Sequence, residues 1–175
     1  MILGMSLPAF TLLHVAISLV AIAAGLVAFW FMYGAKLSRG WTALFLFMTA
    51  LTSITGYFFP AEKVLPSHIV GVLTLIAVAL AALALYRYRL TASWRWIYVI
   101  TASIALYLNI FVGVVQSFLK VAFLNALAPT QAEPPFLIAQ ALVLLALVAA
   151  AIIAVRLFHP EGKAATLRAL GAKAT

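Results

Sequence analysis

Long apolar runs separated by short polar connections dominate this chain. A helix crosses a bilayer core of about 30 Å with roughly 20 residues, and five runs are long enough to do so. Their predicted limits are 8–33, 41–59, 67–86, 96–124 and 136–158. The sequence therefore predicts an all-α integral membrane bundle of five transmembrane helices over residues 1–159, followed by a basic tail at 160–175.

The composition supports a membrane location. Hydrophobic residues make up 67% of the 175 positions and charged residues only 8%, whereas about a quarter of the residues in a soluble domain are charged. So few polar residues cannot cover a surface in water, so we expect lipid to surround most of the bundle. The chain has no cysteine, which excludes disulfides, thiolate catalysis and cysteine-ligated metals.

The basic residues predict the orientation of the bundle. Nine of the eleven Lys and Arg residues fall at one predicted end, and they are Lys36, Arg39, Arg87, Arg89, Arg95, Arg156, Lys163, Arg168 and Lys173. By the positive-inside rule, this end faces the cytoplasm and the N-terminus lies outside. Trp and Tyr residues crowd the same end, as at a membrane interface. Because the cations separate apolar runs instead of forming one stripe, we expect membrane lipids as partners and no nucleic acid.

Several polar side chains interrupt the apolar runs. In the fourth run, "NIFVGVVQSFLK" at 109–120 places Asn109, Gln116 and Lys120 on one helix face, because residues three, four, seven or eleven positions apart share a face. His14 lies within the first run. Hydrocarbon penalises unpaired polar groups, so we expect such faces to meet in the bundle interior, in its outer half. The candidate binding set is His14, His68, Asn109, Gln116, Lys120, Gln131, Glu133 and Gln140.

These residue types suit more than one ligand. His14, Gln116 and Lys120 could hydrogen-bond the oxygens of a quinone or of an anionic lipid headgroup. We assign His68, Asn109 and Gln140 supporting positions and expect Gln131 and Glu133 to cover the mouth of the pocket, where Glu133 could meet Lys120. As an alternative, His14 and His68 could be the axial ligands of a b-type haem. Each polar residue could instead simply bond a neighbouring helix.

Catalytic chemistry has little support in this sequence. Only three carboxylates are present, and no nucleophile elbow, HExxH motif or phosphate-binding glycine loop occurs. A proton-coupled transporter would be expected to carry a buried carboxylate or a chain of histidines, so transport is less favoured. The sequence thus favours a non-enzymatic ligand-binding protein. The alternative is a structural accessory subunit of a larger membrane complex, respiratory or photosynthetic, or a homo-oligomer.

Three stretches carry a resemblance to other proteins: "LPSHIVG" at 65–71, "ALYLNIFVGVVQSFLK" at 105–120 and "LAPTQAEPPF" at 127–136. They resemble a group of small, uncharacterised proteobacterial inner-membrane proteins with five predicted spans. The similarity extends over nearly all of the helical part, from "LHVAISL" to "AVRLF". It implies a multi-pass protein of the bacterial cytoplasmic membrane, and it implies no particular activity.

Overall fold

The computed structural model describes residues 2–61, 63 and 65–160, and the fold is all-α. Its helices are α1 (Leu7–Tyr33), α2 (Arg39–Gly56), α3 (Pro66–Ala82, continued by a π-helical turn at Leu83–Arg87), α4 (Trp94–Lys120), α5 (Ala122–Leu127) and α6 (Pro134–Leu157). The predicted tail at 160–175 lies outside the described residues, apart from Pro160.

Four of these helices are long and apolar enough to cross a membrane: α1, α3 with its π-helical turn, α4 and α6. Helix α2 has 18 residues and is less apolar than the others, because it carries four threonines and a serine. Four candidate spans are therefore established within the described residues. The predicted fifth span, at α2, stays a prediction.

Helices α1 to α4 pack as a ring, with α1 against α2, α2 against α3, α3 against α4, and α4 closing on α1. Helix α6 lies outside this ring, against α4 and α1. Small residues allow the closest approach: a Cβ added to Gly25 of α1 would lie 2.7 Å from Leu106 Cδ1 of α4 and 2.9 Å from Phe45 Cδ2 of α2. Because Phe45 and Leu106 are fully buried there, Gly25 marks the centre of the core.

The outside of the bundle is apolar, as expected for a protein whose solvent is lipid. Leu12 is 72% exposed, Trp30 75% and Leu142 62%. On α6 only Phe136, Gln140 and Ala154 are buried. Such a surface would be very unfavourable in water, since burial of apolar area contributes about 25 cal/mol per Å².

Six of the eight described Lys and Arg residues lie at one end of the bundle, where α1, α3 and α6 end and α2 and α4 begin, together with the exposed rings of Trp30, Trp41, Tyr86, Tyr88 and Trp96. There the guanidinium of Arg95 donates hydrogen bonds to the carbonyl oxygens of Val155 at 2.7 Å and Phe158 at 2.9 Å. These carbonyls lie at the C-terminus of α6, where a cation is favourable. Arg95 therefore ties the start of α4 to the end of α6.

The helix ends lie within three residues of the predicted limits except at the end of the fourth run. The run was expected to continue to residue 124, but α4 ends at Lys120, Val121 is extended (φ −88°, ψ 113°) and α5 follows as a separate short helix. The Asn125 side chain donates to the Phe118 carbonyl at 3.1 Å and so satisfies one of the last carbonyls of α4. Gln116 consequently lies only one turn from the helix end, closer to the surface than predicted.

Candidate ligand-binding site

A cavity of about 330 Å³ lies among α1, α2, α3 and α4. It occupies the end of the bundle where α1 and α3 begin and α2 and α4 end, opposite the cluster of cations. Five of the eight candidate residues line it, and they are His14, His68, Asn109, Gln116 and Lys120. The structure thus brings together candidate side chains from three separate helices.

His14 is held by α2. Its Nδ1 lies 2.8 Å from the Thr55 hydroxyl oxygen. The same hydroxyl lies 2.8 Å from the carbonyl oxygen of Leu51, which can only accept, so the hydroxyl proton is directed to the backbone. The hydroxyl oxygen must then accept from the ring. This places the proton of a neutral imidazole on Nδ1 and leaves a lone pair on His14 Nε2, which has no hydrogen-bond partner among the described residues.

His68 has the opposite arrangement. Its Nδ1 accepts the backbone N–H of Leu65 at 3.2 Å, so a neutral ring carries its proton on Nε2. The ring stacks on Tyr57, with centroids 5.4 Å apart, and the Tyr57 hydroxyl donates to the His68 carbonyl at 2.7 Å. His68 is therefore fixed in the N-terminal turn of α3, where it lines the cavity.

The two tautomers bear on the haem hypothesis. An axial ligand needs a lone pair on the nitrogen that faces the iron. His14 Nε2 has one, but His68 Nδ1 is used by the backbone and its Nε2 is protonated. Haem held between these two histidines does not fit this arrangement. Among the residues that the structure describes, no group of three or more His, Asp or Glu side chains could hold a metal ion.

Gln116 and Lys120 lie one turn apart at the end of α4, and both are exposed. The expected meeting of Lys120 with Glu133 is not seen. Glu133 accepts instead from the Thr130 hydroxyl at 2.8 Å and from the backbone N–H groups of Thr130 at 3.2 Å and Ala132 at 3.1 Å. Desolvation acts to raise the pKa of Glu133, but these hydrogen bonds outweigh it and hold the pKa below its usual value. Glu133 thus stabilises the turn before α6, and Lys120 faces the cavity.

Asn109 lies at the inner limit of the cavity, three turns from Lys120. Its side-chain N–H donates to the Thr49 hydroxyl at 3.0 Å and links α4 to α2. One turn nearer the C-terminus of α2, Thr52 also lines the cavity, and its buried hydroxyl has no hydrogen-bond partner in the described part of the chain. An unpaired buried hydroxyl is unfavourable, and a ligand oxygen could satisfy it.

The remaining three candidates lie elsewhere. Gln140 is 9% exposed and donates to the Phe111 carbonyl at 3.2 Å, and Gln131 donates to the Val115 carbonyl at 2.9 Å. Both amides bond the backbone of α4 and tie α6 and the preceding loop to it. Neither they nor Glu133 line the cavity. Gln140 was expected in the same pocket because its predicted depth in the membrane is similar. Helix α6 packs outside the ring of helices, however, so a similar depth does not place Gln140 at the cavity.

Part of the cavity wall was not predicted from the sequence. Ser67, Gly71 and Thr74 form one face of α3, at spacings of four and three residues, and all line the cavity. That spacing could have identified these three residues as one small and polar face in the sequence. Tyr57 could not have been assigned in this way, since it follows the end of α2 and reaches the cavity through its stacking on His68.

Comparison of the chain with known protein families, with curated proteins and with solved structures finds no match.

Proposed function

We propose that this protein is a non-enzymatic integral membrane protein that binds the polar head of a lipid-like ligand in the cavity among α1 to α4. The observation that carries the proposal is the cavity that joins His14, Gln116 and Lys120 in a bundle otherwise coated with apolar side chains. Binding pockets are mostly apolar and contain a few convergent polar groups. This composition suits a ligand with one polar end.

The wall of the cavity supports a ligand that lies partly among the helices. Val15, Leu19 and Ile22 line it from α1, and Leu108 and Val112 line it from α4. Acyl or isoprenoid chains would pack on these side chains, while the polar head would meet the groups at the mouth, defined here as the region around Gln116 and Lys120.

We further propose that α2 is a fifth span and that the mouth faces the periplasm of a bacterial cytoplasmic membrane. At about 1.5 Å per residue, the 18 residues of α2 extend about 27 Å, close to the bilayer core. Its contacts run along α1, from Phe45 beside Gly25 to Thr55 beside His14, as in an antiparallel neighbour that crosses with it. The cations at the opposite end support a cytoplasmic C-terminus, and the proteobacterial resemblance supports the choice of membrane.

The proposal is tested by purifying the protein in mild detergent and analysing what it retains by native mass spectrometry. We expect a bound small molecule in the unmodified protein and its loss from His14→Ala and Gln116→Leu. Gln140→Leu is the matched control, because it makes the same change in a membrane helix away from the cavity. Thermal unfolding of each variant would show that the bundle remains folded.

Retention of the ligand by Gln116→Leu and His14→Ala, or an empty cavity in the unmodified protein, would contradict the proposal. Recovery of a stoichiometric protein partner in place of a small molecule would favour the accessory-subunit alternative.

A further inference from the structure

We infer that the ligand is an anionic lipid whose headgroup carries a free hydroxyl, such as a phosphodiester with a glycerol head. The inference rests on the proposed function, since it names the chemistry of the ligand at the same cavity. Two features carry it: an ammonium at the mouth with no acidic side chain among the described residues that line the cavity, and a histidine whose unprotonated ring nitrogen can only accept a hydrogen bond.

The charge of the cavity favours an anionic ligand. Lys120 is the only charged side chain among the described residues that line the cavity, and these include no Asp or Glu. Glu133, the carboxylate that follows next along the chain, is already bonded to Thr130 and Ala132. A cation beside a largely apolar wall is best stabilised by an anionic partner. A phosphodiester at the mouth provides that partner and can also accept from the Gln116 amide.

His14 then selects the rest of the headgroup. Because Thr55 fixes the proton on Nδ1, the available nitrogen, Nε2, accepts. A second positive charge in the cavity that Lys120 also lines would be unfavourable, which favours the neutral ring. An oxidised quinone offers no hydrogen to this nitrogen, and neither does a phosphodiester capped by a methyl group. A headgroup hydroxyl does.

The positions of the two groups agree with one headgroup bound by both. His14 lies two turns inside the start of α1 and bonds the last turn of α2, while Lys120 is the last residue of α4. Both line one cavity of about 330 Å³. In a glycerol phosphodiester, the hydroxyls and the charged oxygens lie only a few bonds apart, so both could be reached together.

The test compares three lipids with identical acyl chains by native mass spectrometry of the full-length protein: phosphatidylglycerol, phosphatidylmethanol and phosphatidylcholine. Phosphatidylmethanol keeps the negative charge and lacks the hydroxyls. We expect phosphatidylglycerol to bind about three- to tenfold more tightly than phosphatidylmethanol, the range for one hydrogen bond, and phosphatidylcholine to bind most weakly.

Variants separate the two contacts. His14→Phe should abolish the preference for phosphatidylglycerol over phosphatidylmethanol and leave the preference for anionic lipids. His14→Gln retains an acceptor oxygen and should restore part of the first preference. Lys120→Met should abolish the preference for anionic lipids over phosphatidylcholine. Unchanged thermal unfolding of each variant would show that these losses are not due to misfolding.

The possible failures are distinguishable. Equal affinity of the unmodified protein for phosphatidylglycerol and phosphatidylmethanol would overturn this inference but leave a lipid-binding cavity in place. Stronger binding of phosphatidylcholine than of either anionic lipid would also overturn it. Retention of no lipid by the unmodified protein would overturn the proposed function as well.

Discussion

At the scale of single residues, the bond between Asn109 and Thr49 shows how a polar group is accommodated inside this bundle. The Asn109 amide donates to the Thr49 hydroxyl at 3.0 Å, and both side chains are buried. In hydrocarbon, an amide has no water to bond, so a hydrogen-bond partner on a neighbouring helix stabilises it. This bond joins α2 and α4 at the inner limit of the cavity.

We predict that Asn109→Leu and Thr49→Val each lower the free energy of unfolding by about 1 kcal/mol. A double-mutant cycle should give a coupling energy of about 0.6 kcal/mol, the average for such bonds between membrane helices. Unfolding in mixed detergent micelles measures all four proteins. Strictly additive effects of the two substitutions would show that this bond does not contribute.

Residue patterns predicted some of the site and not the rest. Helical spacing placed Asn109, Gln116 and Lys120 on one face, and the structure has all three at the cavity. Depth and spacing cannot show which neighbour a helix faces, so Gln140 was assigned to a pocket from which α6 is excluded. The proton positions of His14 depend on a partner 41 residues away, so no local pattern could have shown them.

At the scale of helices, the packing at Gly25 determines how closely α1, α2 and α4 approach. We predict that Gly25→Ala destabilises the bundle, because the new methyl group would lie 2.7 Å from Leu106 and 2.9 Å from Phe45, both fully buried. Overpacking costs about 1–3 kcal/mol, whereas removing glycine from a helix returns about 0.5–1 kcal/mol. We therefore expect a lower melting temperature in detergent.

Gly40→Ala is the matched control for this substitution. It also lies within a helix, but a Cβ there would meet nothing within 4 Å, so we expect its melting temperature to be unchanged or slightly higher. Equal melting temperatures for Gly25→Ala and Gly40→Ala would contradict the close packing.

Helix positions were easier to predict than one helix end. Four apolar runs have the length and composition that a bilayer demands, and each corresponds to a helix in the structure. The break after Lys120 was missed, because "VAFLNAL" continues the apolar pattern without glycine or proline, and the pattern does not show the bond from the Asn125 side chain to the Phe118 carbonyl at the break. Helix α2 differs from these four helices. Its hydroxyl side chains line the cavity and form hydrogen bonds to α1 and α4, and they make the helix less apolar.

At the scale of the whole molecule, the asymmetry of charge predicts how the bundle crosses the membrane. The described Arg residues lie at one end and the cavity at the other, so the proposed orientation places the cavity outside. Because the chain contains no cysteine, a single introduced cysteine is the one thiol that a labelling reagent can reach. We choose Ser38→Cys, Ala61→Cys, Ser93→Cys and Ala132→Cys, one in each connection between the long helices, so that no native cation is removed.

We predict that a membrane-impermeant maleimide labels Ala61→Cys and Ala132→Cys in intact spheroplasts and labels Ser38→Cys and Ser93→Cys only after the membrane is permeabilised. The comparison of Ser38→Cys with Ala61→Cys isolates α2, since a helix that crosses must place its two ends on opposite sides. Labelling of both from the same side would remove α2 as a fifth span. Labelling of only Ser38→Cys and Ser93→Cys in intact spheroplasts would instead reverse the orientation, and the cavity would then draw its ligand from the cytoplasmic leaflet.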